Sequence, residues 1–216
     1  FPTRRSSDLD LVARIVYSLT KAVDGARPIA FLTGSGLSRG AVPMSAQIVE
    51  QIRKSIDDAA DVRAFDEHLV AATDDGEKYQ QAFQWLGIRR DPGFRDKVIQ
   101  IATLSACKMD DIAELVGPDG IIDRRRLLNR AGQLELESER WTLPAGQSAL
   151  GRILNGLPSE MRGPVLTTNF DPLTEIAVRR SGGNPSIFVN ADDTSFLANL
   201  RVQNNPFVLH LHGYWR

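Results

Sequence analysis

The sequence contains few of the residues that mark several large classes of protein. It has one cysteine, Cys107, and three histidines among 216 residues. No apolar run approaches the roughly 18 residues of a membrane span, and no secretory leader is recognisable. A single cysteine excludes an intrachain disulfide and a zinc site made of several cysteines, so we expect Cys107 to be a small buried residue. These absences predict a cytoplasmic protein.

Neither sign of charge dominates the chain. The 26 basic and 27 acidic residues give a formal net charge of -1, which supplies no basic field for nucleic acid or an anionic membrane. We therefore expect no direct nucleic-acid binding and no membrane partner. Apolar residues make up 42% of the sequence, which is enough for one sizeable α/β domain.

The two ends of the sequence predict a fragment truncated at both ends. Residues 1–9, FPTRRSSDL, match one reading frame of a common DNA-sequencing adapter, so we expect them to be an artefact and exclude them from fold reasoning. At the other end, Trp215 and Arg216 follow a strand-like run without any further element.

The first part of the chain predicts a strand between two helices. Apolar residues recur at helical spacing over residues 10–24, which predicts an amphipathic helix. Residues 29–33 form a short apolar run that predicts a strand buried on both faces. Pro43 and Ser45 then open a helix in which Glu50 and Lys54 are spaced as a supporting pair.

The rest of the chain predicts a helical insertion followed by a return to alternating strands and helices. Residues 61–145 show helical stripes and turns but no convincing strand, whereas residues 10–60 and 146–216 carry the α/β pattern. The predicted elements of the second part are a helix near 150–157, a strand at 165–168, a helix capped by Asp171 with Pro172 as its first residue, a strand at 186–189, a helix at 194–200 and a strand at 207–212. This order predicts a Rossmann-like α/β fold, with a mostly parallel sheet and helices on both faces.

Three groups of polar or glycine residues directly follow predicted strands. They are Gly34–Ser38, Asn169–Asp171 and His212–Gly213. Because ligands of open parallel sheets bind at the carboxyl ends of strands, we expect these three groups to share one rim.

The glycine group, Gly34–Ser38, has the composition of a phosphate-binding loop. Glycines allow a pyrophosphate to approach the backbone, whose amides then bind its oxygens. The pattern departs from the dinucleotide fingerprint, because Arg39 stands where a third glycine is expected and no acidic residue ends a second strand about 20 positions later. A plain strand-to-helix turn explains the same residues.

Asn169 and Asp171 each have two interpretations. The amide of Asn169 offers a donor and an acceptor for a ribose hydroxyl or a water, but asparagine is also a common turn residue. Asp171 precedes a proline, so an ordinary helix cap explains it, and that role is compatible with a ligand contact.

The histidines also divide into functional and structural candidates. His212 ends a predicted strand and suits a general base or a group that orients a ribose, although strand histidines are often structural. His210 is predicted on the same strand face, and such a pair can bind a metal, but no third ligand lies nearby in sequence, so we expect no metal. We expect His68 to be solvated.

Together, these motifs resemble those of the sirtuin family, particularly its bacterial sirtuin-like branch in antiphage defence. The similar segments are GSGLS at 34–38 followed by Val42-Pro43, TTNFD at 167–171 and LHG at 211–213. The resemblance covers about residues 28–58 and 146–216. Protein-deacylating members continue the first motif with Asp-Phe-Arg, where this chain has Met44-Ser45-Ala46, so the resemblance favours a branch with another activity.

The resemblance implies that NAD is the substrate and that no metal is needed. Asn169 and His212 correspond to the family's catalytic residues, and the residues implied to contact NAD are Gly34, Ser35, Gly36, Ser38, Pro43, Thr168 and Asp171. The implied reaction is hydrolysis of NAD to nicotinamide and ADP-ribose in antiphage defence. Deacylation, ADP-ribosyl transfer to protein and a non-catalytic sensor of NAD or ADP-ribose remain alternatives, and the resemblance allows a homo-oligomer and a fused or associated sensor or effector domain.

Overall fold

The structure of this chain is a computed structural model, and it describes residues 13–14, 16–22, 24–25, 27–89, 92–108, 115, 123–189 and 205–216. The predicted helix at 194–200 lies outside these residues, as do residues 1–9. The helical residues between 13 and 24 form α1, in agreement with the predicted first helix.

Four strands form one parallel sheet. They are β1 (Ile29–Thr33), β2 (Arg162–Thr167), β3 (Ser186–Val189) and β4 (Phe207–His210), arranged in the order β1-β2-β4-β3. Every pairing between neighbours is parallel. The parallel sheet flanked by helices confirms the predicted Rossmann-like α/β class, and it brings the carboxyl ends of β1, β2 and β4 to one edge.

Seven further helices are described. They are α2 (Ser45–Lys54), α3 (Ala59–Leu69), α4 (Asp75–Arg89), α5 (Pro92–Leu104), α6 (Arg124–Leu136), α7 (Ala145–Gly156) and α8 (Leu173–Arg180). The predicted pair on α2 is present, with Lys54 Nζ lying 3.4 Å from Glu50 Oε1. No helix in the described parts of the chain is long and apolar enough to cross a bilayer.

The stretch predicted as an insertion shares its core with the elements that precede and follow it. Ile52 of α2 packs in one buried cluster with Phe65 and Trp85, whose rings meet edge to face at 5.2 Å between centroids. A second cluster joins residues near the end of α5 and on α6 to α8, and includes the perpendicular rings of Trp141 and Trp215. The boundaries of the insertion stay a prediction.

The prediction that β1 is buried on both faces is wrong. Leu32 is 75% exposed, and exposure alternates along the strand. β1 has only β2 as a described neighbour and stands at the edge of the sheet, with Phe31 packed against the core and Leu32 on the other face. An apolar run without alternation therefore does not distinguish an edge strand from a central one.

Two predicted boundaries also shift. β4 ends at His210, because the chain leaves the sheet after Leu211 and turns at Gly213, where φ is +96°. The prediction that His210 and His212 share a strand face is therefore wrong. α8 begins at Leu173 rather than at Pro172, although the Asp171 carboxylate still accepts a hydrogen bond from the Leu173 amide at 3.2 Å.

Candidate functional site

A cavity of about 770 Å³ lies at the carboxyl ends of β1, β2 and β4. Part of its lining comes from the rim of the sheet, and part comes from helices α4 and α5, which we call the helical wall. The helical wall includes Tyr79, Gln80, Phe83, Arg95, Asp96 and Ile99. The cavity is therefore built from the strand ends and from the helical stretch between the first two strands.

Seven of the nine predicted site residues line this one cavity. They are Ser35, Ser38, Pro43, Thr168, Asn169, Asp171 and His212. Gly34 and Gly36 belong to the glycine loop, Gly34–Ser38, together with Ser35 and Ser38, but they do not line the cavity. A Cβ atom at Gly34 would lie 3.2 Å from Thr168 Oγ1, so the loops after β1 and β2 approach each other closely where the sequence has glycine.

Ser38 is the centre of a buried hydrogen-bond network. Its Oγ accepts hydrogen bonds from Asn169 Nδ2 at 2.9 Å and from Gln147 Nε2 at 3.3 Å. Gln147 Oε1 in turn accepts from Thr174 Oγ1 at 3.2 Å. The network joins the glycine loop (Gly34–Ser38), the end of β2 and helices α7 and α8. It therefore fixes the side-chain amide of Asn169 against that loop.

Asn169 is also held through its backbone. Its amide donates to Thr167 Oγ1 at 3.1 Å, and its carbonyl lies 2.7 Å from His210 Nδ1. His210 Nε2 is 2.5 Å from Glu175 Oε1, and both of these side chains are fully buried. Burial lowers the pKa of His210, but the hydrogen bond and charge of Glu175, with the Asn169 carbonyl, raise that pKa above its ordinary value.

Asp171 is a buried carboxyl group that lines the cavity. Burial raises the pKa of Asp171 to about 6, although hydrogen bonds from the Ser38 hydroxyl and the Leu173 amide favour the ionised form and oppose the shift. A carboxyl group with a pKa raised in this way is protonated in a larger fraction of molecules near neutral pH than an ordinary aspartate.

His212 has a different environment from His210. Its side chain is exposed, it lines the cavity, and it makes no hydrogen bond with any described residue. Over the described ranges, no three His, Cys, Asp or Glu side chains are grouped to hold a metal ion. His210 and His212, which the sequence predicted on one strand face, therefore have separate environments, one inside the fold and one facing the cavity.

A scan of protein-family models and a search of curated proteins found no match to this chain. Any functional assignment therefore depends on the geometry of the cavity and on the motifs that surround it.

Sequence reasoning missed several residues of the site. Gln147 is fully buried on the same face of α7 as Leu150 and Leu154, and a polar residue on an apolar helical face was the available signal. Glu175 carried no comparable signal, because it is a single acidic residue in the first turn of a helix, where acidic residues are common. Tyr79 and Arg95 are brought to the cavity only by the packing of α4 and α5.

Proposed function

We propose that this chain hydrolyses NAD to nicotinamide and ADP-ribose in the cavity at the strand ends. The observation that carries the proposal is the convergence of Asn169, His212 and the serines of the glycine loop, Ser35 and Ser38, from three separate loops on one cavity. Their motifs resemble those of sirtuins, which gives the ligand class. A volume of about 770 Å³ suits a ligand of this size.

Asn169 is the residue that would orient the attacking water. Its Nδ2 donates to Ser38, so Oδ1 is the atom left to accept a hydrogen bond from a water or a ribose hydroxyl. A fixed acceptor of this kind lowers the barrier by holding the nucleophile in line with the bond that breaks.

His212 would act on the ribose or on the water itself. Its exposed imidazole can hydrogen-bond a ribose hydroxyl or accept the proton that the water releases. In the reaction, the water oxygen bonds to the anomeric carbon, the bond to the nicotinamide nitrogen breaks, and its electron pair neutralises the pyridinium. The proton passes to His212 and then to solvent.

The test compares His212→Ala and Asn169→Ala with His68→Ala, which removes an exposed histidine away from the cavity. We expect the two site variants to lower NAD turnover by roughly two to four orders of magnitude and the control to leave it unchanged. Nicotinamide release is followed by chromatography. Turnover that survives both site substitutions would contradict the assignment.

The same chromatography separates the alternative activities. Free ADP-ribose formed without an acceptor supports hydrolysis, whereas a product that carries an acyl group or a modified protein supports deacylation or ADP-ribosyl transfer. Calorimetric binding of ADP-ribose with no nicotinamide release from NAD supports a sensor. A role in antiphage defence belongs to this proposal through the resemblance alone, and a cytoplasmic location stays a prediction from the sequence.

A further inference from the structure

A buried pair of ionisable side chains contacts the backbone of Asn169. His210, at the end of β4, and Glu175, in the first turn of α8, are both completely inaccessible to solvent. The ring of Tyr214 packs edge-on against the His210 ring, with 4.6 Å between centroids. Neither member of the pair lines the cavity, so neither is placed to touch a ligand.

The contacts of His210 determine which ring nitrogen carries a proton. Nδ1 lies 2.7 Å from the carbonyl oxygen of Asn169, and a carbonyl oxygen can only accept a hydrogen bond, so Nδ1 must donate. Nε2 faces Glu175 Oε1 at 2.5 Å. Whether the pair is an imidazolium with a carboxylate or a neutral ring with a carboxylic acid, Nδ1 keeps its proton.

Stability alone gives a weak reason for such a pair. Removing two ionisable groups from water is costly, and well-packed apolar side chains often stabilise a protein at least as well. The pair does provide a directed hydrogen bond to the backbone of one residue. That residue is Asn169. Its side chain also donates to Ser38, and its backbone amide donates to Thr167.

We infer that His210 and Glu175 are positioning residues for Asn169. Glu175 holds the His210 ring in the orientation that points Nδ1–H at the Asn169 carbonyl, and this bond fixes the backbone from which the Asn169 amide reaches the cavity. The catalytic part of the inference rests on the proposed NAD hydrolysis. A shift of about 1 Å in a positioned group can cost on the order of 100-fold in rate.

Two amide substitutions of His210 separate its two nitrogens. The amide nitrogen of asparagine is two bonds from Cβ, like Nδ1, whereas that of glutamine is three bonds from Cβ, like Nε2. His210→Asn therefore retains a donor for the Asn169 carbonyl, and His210→Gln does not. We expect kcat to stay within about fivefold of wild type in His210→Asn and to fall roughly 30- to 100-fold in His210→Gln.

Glu175 is tested by a matched pair of variants. Glu175→Ala frees the ring and should lower kcat about tenfold or more, while Glu175→Gln retains a hydrogen-bond partner for Nε2 and should restore most of that loss. In all of these variants the dissociation constant of ADP-ribose, measured by calorimetry, should change less than about threefold. Equal kcat values for His210→Asn and His210→Gln, or losses of binding that match the losses of kcat, would overturn the inference.

Nitrogen-15 NMR of histidine-labelled wild-type protein tests the hydrogen bond without any variant. With only three histidines, His68→Asn and His212→Asn identify the His210 signals. We expect a proton on Nδ1 that exchanges slowly with solvent, and an unprotonated Nδ1 would refute the arrangement even if the His210 variants do not fold. A wild-type protein that shows this proton but does not hydrolyse NAD would instead refute the proposed function.

Discussion

The Asp171 carboxyl group shows how burial changes the chemistry of one residue. Its sequence context is that of an ordinary helix cap, and its carboxylate does accept the Leu173 amide. It is also only 4% exposed, and its ionised form is favoured by Ser38, whose Oγ holds the Asn169 side chain. Both interpretations made from sequence are therefore compatible with the contacts of this residue.

The raised pKa of Asp171 predicts a dependence of stability on pH. Because its pKa is about 6 in the folded protein and 3.8 ordinarily, the folded protein binds more protons than the unfolded chain between these values. Its stabilising contribution is complete below about pH 4 and lost as pH rises through about 6, with a total on the order of 3 kcal/mol. Urea unfolding of wild type and Asp171→Asn from pH 4 to 6.5 measures the difference.

Asp171→Asn retains an acceptor for the Leu173 amide but cannot ionise, so it is matched in shape to the wild type. We expect wild-type protein to lose stability relative to this variant as the pH rises from 4 to 6.5. Parallel pH profiles for the two proteins would show that Asp171 titrates normally. The raised pKa of His210 changes stability mainly above its ordinary value of 6.5. Measurements that stay below pH 6.5 therefore separate the effect of Asp171 from that of His210.

At the scale of elements, the contact between α7 and α8 determines where Gln147 and Thr174 meet. Gly151 of α7 lies against the backbone of α8, so that a Cβ atom there would be 2.3 Å from the Ala177 carbonyl oxygen. This separation leaves no room for any side chain. The close approach brings Gln147 within reach of both Thr174 and Ser38.

Gly151→Ala should therefore destabilise the protein, because the helices must separate to admit a methyl group. We expect a loss of about 1 to 3 kcal/mol or more in the free energy of unfolding. Gly156→Ala on the same helix is the control, since no atom lies within 4 Å of its added Cβ, and it should be neutral or slightly stabilising. Similar unfolding midpoints for the two variants would argue against close packing at Gly151.

The elements also show what could be predicted from sequence. The strand at 186–189 and the start of α2 near Ser45 were predicted closely, because turn residues and apolar runs are local signals. The edge position of β1 was not, because strand order depends on the fold of the whole chain. Local signals likewise missed the bond between His210 and Glu175, residues 35 positions apart in the chain.

At the scale of the whole molecule, the cavity combines a polar rim with a helical wall that carries charge. Among the described residues that line it, Arg95 of α5 supplies the only guanidinium or ammonium group. The glycine loop offers backbone amides but no cation of its own to the cavity. A pyrophosphate in this cavity would therefore find its positive partner on the helical wall.

Arg95→Ala should weaken NAD binding more than it slows the chemical step. We expect KM to rise about three- to tenfold with kcat nearly unchanged, and the effect to shrink at high salt, because Arg95 is exposed and its charge is screened. Arg89→Ala, at an exposed position on α4, is the matched control. Steady-state kinetics at two salt concentrations test whether Arg95 contacts a phosphate of NAD. An unaltered KM at low salt would exclude that contact.

The segment that carries His212 is fastened to the segment that carries Asn169 at two points. The Leu211 amide donates to the Thr167 carbonyl at 2.8 Å, and the Trp215 amide donates to the Phe170 carbonyl at 3.1 Å. These backbone hydrogen bonds hold the two residues proposed for catalysis in a fixed arrangement relative to each other. When a ligand binds, we expect α4 and α5 to move and the strand-end side of the cavity to stay in place.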